Sequence, residues 1–187
     1  MSTNLVLLHP MGRMPDTYTG VVQELPADVT PWLPNLSVGS IDDQCRTLED
    51  YLDRHELRSV VLFGHGTGAL VAAQFALAQP NRVTRLLLSD ASLRTDEKTI
   101  NTQMKALRLI PRFLLRRRGI DKDEAMESLE SLRDHDLTGQ LGILGIPLTI
   151  FSAADTPDTI EGAKAIRVPE GLWYENNPAL VVRELLA

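Results

Sequence analysis

Five residues, Gly64-His65-Gly66-Thr67-Gly68, stand where an apolar run meets a small-residue helix, within VVLFGHGTGALVAAQFALAQP from Val60 to Pro80. A buried strand, a tight glycine turn and a helix start are the parts that aim backbone N–H groups and a positive dipole end at an anionic or carbonyl oxygen. Gly66 at the middle of the turn adopts a strained backbone conformation at little cost, but it brings no nucleophile. Groups able to move a proton lie elsewhere. Asp90 closes a later apolar run, Asp155 follows another in Ser152-Ala153-Ala154-Asp155, and His135 sits in Arg133-Asp134-His135-Asp136. Each is a candidate general base or acid. His9 closes the first apolar run. His65 should point away from a pocket above the turn, and His55 lies in a solvated, acidic helix. The glycine spacing does not make a dinucleotide site, and no His-x-x-x-His or Cys/His pair suggests a metal, so no cofactor is expected.

The elements that must position these residues follow from periodicity. Short apolar runs alternate with helical patterns, as in a parallel sheet flanked by helices. Strands are expected at Asn4 to His9, Ser59 to Phe63, Arg82 to Asp90, Ile146 to Ala153 and Ala165 to Val168. A sixth run, Val29 to Leu36, carries Pro31 and Pro34, which demote it to an edge strand or an irregular one. Helices are expected around Thr17 to Leu25, over Ala69 to Leu77 and over Pro178 to Leu186. Another follows Ser40, an N-cap with Asp43 in capping-box position, and carries Ile41, Cys45, Leu48 and Leu52 on one stripe. Cys45 is expected as a small core residue. Residues from about 95 to 138 form a charged helical insert.

The chain has 187 residues and a net charge of −6. That length suits one domain spanning residues 1–187, and the acidic balance disfavours nucleic acid as a partner. The apolar run from Leu5 to Leu8 is too short for a signal peptide or a membrane span, and the single cysteine excludes an internal disulfide. A cytoplasmic location is the default expectation.

In their order along the chain, these parts resemble the α/β-hydrolase family. LVLLHPMG looks like that family's first core strand and following turn, GHGTG like its nucleophile elbow, and RVTRLLLSDAS like the strand after it. DLTGQLGILGIPLTIFSAADTP resembles the segment carrying the catalytic acid, and IRVPEGLWYENNPALVVRELL the last strand, histidine loop and final helix. The resemblance covers nearly the whole chain. It implies an α/β-hydrolase-like parallel sheet of about six strands, helices on both faces and a short helical lid insert, without the family's first two antiparallel strands.

The resemblance also assigns places. Gly66 holds the nucleophile position, which is therefore vacant. Asp155 matches the acid, and no histidine follows the last strand, where Trp173 or Tyr174 takes the space. The oxyanion hole implied by the family would use the backbone N–H groups of Thr67 and Met11. The expected pocket lies above Gly66, bounded by Met11, Thr67, Asp90, Asp155 and Trp173, with His9 and Trp173 among its lining residues. A small carbonyl- or carboxylate-bearing molecule is the expected ligand. Three readings stay open: a non-catalytic, small-molecule-binding pseudo-hydrolase; a lyase, isomerase or cyclase using the oxyanion hole with an Asp or His base; and an esterase-like hydrolase with a displaced catalytic set, drawing on Thr67, Ser92 or Ser152. The insert, with its arginines and apolar residues, is a lid or a surface for a second copy or a protein partner.

Overall fold

A computed structural model describes residues 2–36, 39–133, 136–153 and 160–187. Six parallel strands form one sheet: β1 Thr3–Leu8, β2 Val29–Trp32, β3 Val60–His65, β4 Val83–Ser89, β5 Leu148–Ser152 and β6 Lys164–Arg167, in the order β2-β1-β3-β4-β5-β6. The central strands read as unbroken apolar runs because both their faces are covered. Leu5, Leu7, Val61, Phe63, Leu87 and Phe151 face one layer, formed with Tyr18, Val181 and Leu185. Their neighbours Val6, Leu8, Leu62, Leu86, Leu88 and Ile150 face the other. The period of two along each strand thus builds two cores from one sheet.

β2 is an edge strand, as its prolines predict, but shorter than the run from Val29 to Leu36; only Val29 to Trp32 pair with β1. The first expected helix divides into a 3-10 turn, Pro15–Tyr18, and a short α1, Thr19–Gln23. α2, Ile41–Arg54, starts from the Ser40–Asp43 capping box and buries Ile41, Gln44, Leu48 and Leu52. Cys45 is half-buried on the same helix. Burial pushes its thiol up to about 12, with Asp42 and Glu49 adding to it.

α3, Thr67–Ala78, follows β3 directly and is buried along most of its length. The insert comprises α4 Glu97–Leu109, α5 Arg112–Arg116 and α6 Lys122–Glu130. Ile100 and Met104 of α4 tie it to the core, and Ser128 of α6 donates to the Gly39 carbonyl at 2.8 Å. α7 Thr138–Gly142, α8 Trp173–Asn176 and α9 Pro178–Leu186 complete the fold. Among the described residues, no helix is long and apolar enough to cross a membrane.

Candidate functional site

The turn between β3 and α3 is set by three glycines with different tasks. Gly64 and Gly68 allow close approach: a Cβ on Gly64 would lie 2.4 Å from the Gly68 carbonyl oxygen, and one on Gly68 2.2 Å from that of Leu8. Gly66 supplies conformation, with φ 56° and ψ −119°. Its N–H donates to the Ser89 carbonyl at 2.8 Å, locking the turn onto β4. Among the described residues, a Cβ at Gly66 would meet the Pro10 side chain alone, at 3.4 Å. The backbone thus holds the geometry that would project a side chain from position 66, and no side chain is present.

Of the two backbone donors implied for an oxyanion hole, the one on Met11 is engaged. Met11 N–H donates to the Thr67 hydroxyl oxygen at 2.6 Å. The Thr67 side chain reaches across to the β1 loop instead of lying along the start of its own helix, and it occupies the second donor.

The two histidines beside the turn are committed to the fold. His9 Nε2 accepts from the Leu36 N–H at 3.1 Å and its Nδ1 lies 3.1 Å from the Pro10 carbonyl oxygen, which places the ring proton on Nδ1. His65 is buried, with Nδ1 2.9 Å from Ser89 Oγ. The Trp173 indole N–H donates to the same hydroxyl at 2.8 Å. The hydroxyl can therefore pass its own proton into a bond with His65. Trp173 is 2% exposed and packs on Phe151 at a ring separation of 4.9 Å. Tyr174 lies edge-on to His65 at 5.3 Å.

Burial holds the His65 imidazole below its ordinary value of 6.5, against an opposing pull from the Asp90 charge. The folded chain then binds this proton less tightly than the unfolded chain does. Its contribution to stability is full above about pH 6.5 and falls as the pH drops below that toward the depressed folded value. Urea unfolding midpoints are expected to decline between about pH 7 and 5.5, and the His65→Gln variant to show a flatter profile over that window. An unchanged slope in the variant would remove His65 as the cause.

Asp90 follows β4 directly with φ 46°, a left-handed conformation uncommon for a residue with a side chain. It is half-buried, its N–H donates to the Phe151 carbonyl, and its Oδ1 accepts from Ala153 N–H at 3.3 Å. Asp155 and His135, the other expected proton-transfer groups, lie outside the described residues. Among the described residues, no group of three or more His, Cys, Asp or Glu side chains is placed to hold a metal ion.

A cleft of about 260 Å³ opens between the β1 loop, the start of α2 and the insert. The β1 loop (His9, Met11 to Met14), the start of α2 and its preceding loop (Asn35, Leu36, Gly39, Gln44), and the insert (Gly119 to Asp121, Glu124) line it. Of the residues expected around a pocket above Gly66, it shares Met11 and His9. Gln44 is 5% exposed; its amide N–H donates to the Gly39 carbonyl at 3.3 Å, and its amide oxygen has no partner among the described residues. Glu124 has its carboxyl pushed up by desolvation and by the charges of Asp121, Glu127 and Asp123. Sequence reasoning overlooked Gln44, although a signal existed: its spacing to Ile41 and Leu48 puts a polar residue on the apolar stripe of α2. Ser89 was overlooked as well, and nothing local distinguishes it.

The pattern of the Ndr family matches residues 26–108. No curated protein sequence matches the chain. Among solved structures, a hydrolase from Pseudomonas aeruginosa PA01 superposes with a TM-score of 0.77 at 19% identity, over 99% of this chain and 89% of that one. A thermophilic esterase from Thermogutta terrifontis gives 0.77 at 16% identity, over 100% and 89%. The enol-lactonase from Burkholderia xenovorans LB400 gives 0.76 at 15% identity, over 100% and 92%. At these identities the likeness is one of fold.

Proposed function

On the α/β-hydrolase fold that this chain has, we propose a non-catalytic, small-molecule-binding protein, a pseudo-hydrolase. One observation carries the reading: the elbow keeps its backbone geometry at Gly66 while the neighbouring Thr67 hydroxyl occupies the Met11 N–H. A serine hydrolase needs a nucleophile at the first place and a free donor at the second. The bonding of His9 and His65 supports the same reading, because each uses its ring to hold loops and strands together. The ligand's place is the cleft between the β1 loop and the insert, where the Gln44 amide oxygen, without a partner among the described residues, offers an acceptor.

Generic ester turnover by the unmodified protein is expected to equal the buffer rate. Gly66→Ser is expected to add no turnover and to destabilise the fold by about 1–2 kcal/mol, through the left-handed backbone alone. The paired measurements are chromogenic ester hydrolysis and urea unfolding. Turnover that Asp90→Asn abolishes would overturn the non-catalytic reading. A second reading, proton transfer beside a carbonyl without a covalent intermediate, is favoured by the left-handed backbone at Asp90, since such conformations cluster at functional sites. Deuterium uptake at the α-carbon of a bound keto compound, lost in Asp90→Asn, distinguishes that reading.

A further inference from the structure

We propose that the tip of the insert, Arg108 to Gly119, docks reversibly on the surface of an anionic phospholipid bilayer. The tip reads RLIPRFLLRRRG, with five arginines and no acidic residue, in a chain whose net charge is −6. Every residue of it is exposed except Leu115, which is 6% exposed and anchors the segment. Leu109 is 84% exposed, Phe113 63%, Leu114 43% and Ile110 37%. Arg112 pairs with Asp123 at 2.8 Å. Arg108, Arg116, Arg117 and Arg118 have no ion pair among the described residues.

The tip is also held in shape. Lys122 Nζ donates to the carbonyls of Arg108 and Ile110 at 2.7 and 2.8 Å, so the end of α4 is tied to the start of α6. The apolar side chains are therefore presented on a fixed loop before any partner arrives.

The chemistry of the tip selects the occupant. Arginines flank each short apolar group of the tip, Leu109-Ile110 and Phe113-Leu114, so charge stands beside every apolar side chain, unlike the core of a protein interface, where charge is depleted. The headgroup–acyl boundary accepts this mixture: Phe and Leu enter the apolar layer while arginine stems snorkel to the phosphates. Self-association through a two-fold contact would bring two sets of arginines together, which like-charge repulsion opposes. An anionic leaflet attracts such a cluster, and the attraction weakens with salt. The insertion is peripheral, in keeping with the absence of a spanning helix among the described residues. It does not depend on whether the cleft holds a ligand.

The test is vesicle co-sedimentation of the full chain at 100 mM salt, comparing phosphatidylcholine vesicles with vesicles containing 30% phosphatidylserine. At least tenfold stronger binding to the anionic vesicles is expected, falling severalfold at 500 mM salt. The triple variant Arg116→Glu, Arg117→Glu, Arg118→Glu and the double variant Leu109→Ser, Phe113→Ser are each expected to lose at least tenfold. Their urea midpoints should match the unmodified protein, because the altered side chains are exposed. Equal binding to both vesicle types, or no binding to either, overturns the proposal. So does a dimer in sedimentation equilibrium that the double variant dissolves, which would assign the tip to a second copy. So does binding that survives both variants.

Discussion

Gly68→Ala is expected to destabilise the protein by about 4 kcal/mol or more, at the extreme of what one substitution does. The added methyl would lie 2.2 Å from the Leu8 carbonyl oxygen and 2.7 Å from that of His9. Both are backbone atoms of the first strand and its loop, so no side chain can swing aside. Relief requires α3 to move off β1, and α3 is buried among core residues of that face. Gly66→Ala provides the contrast. Among the described residues its methyl meets Pro10 alone, at 3.4 Å, and the cost is that of a left-handed backbone, about 1–2 kcal/mol. Urea unfolding of the two variants side by side separates close approach from conformational freedom. Gly68→Ala no worse than Gly66→Ala would mean that helix and strand do not meet as described.

Trp173→Ala is expected to cost about 3–5 kcal/mol, the range for truncating a large buried aromatic. The indole packs against Phe151 at 4.9 Å and lies edge-on to Phe63 at 6.5 Å. Its removal would open a void between the sheet and the α8–α9 layer. Trp173→Phe keeps most of that packing and loses the bond to Ser89, for about 1–3 kcal/mol. In the Phe variant the His65–Ser89 pair remains, so its stability should keep the acid-side decline attributed to His65. Guanidinium unfolding at two pH values checks both statements. A Trp173→Ala variant within about 1 kcal/mol of the unmodified protein would show that the loop closes over the gap.

Much of this architecture was readable from short-range rules. The apolar runs located the strands because a parallel sheet covered on both faces needs no polar alternation. Pro31 marked the edge strand since proline cannot donate to a ladder, and Ser40 with Asp43 marked the start of α2 through reciprocal capping. Candidate site residues were legible as types and not as contacts. Nothing in Gly-Thr-Gly says that the Thr67 hydroxyl crosses to Met11, because that bond joins residues 56 apart in sequence. The link from Trp173 through Ser89 to His65 draws on three separate elements and has the same origin in tertiary packing. Gln44 stood in plain view on an apolar stripe, and its meaning depended on which loops would form a cleft beside it.

The strand order has a consequence for how such a chain can change. β1 pairs with β2 on one side and β3 on the other, so the connections leaving β1 and β3 run to opposite faces of the sheet. Their departure leaves a crevice at the strand ends, a property of connectivity in open α/β sheets. The first loop and the glycine turn both emerge there. Mutation can therefore remove a nucleophile or fill a donor without closing the crevice, and new ligand preferences can arise from loop side chains alone. The glycines at 64 and 68 are bound by a different constraint, the contact of helix with strand. Among natural variants of this chain, substitutions should accumulate around the crevice while those two positions stay fixed.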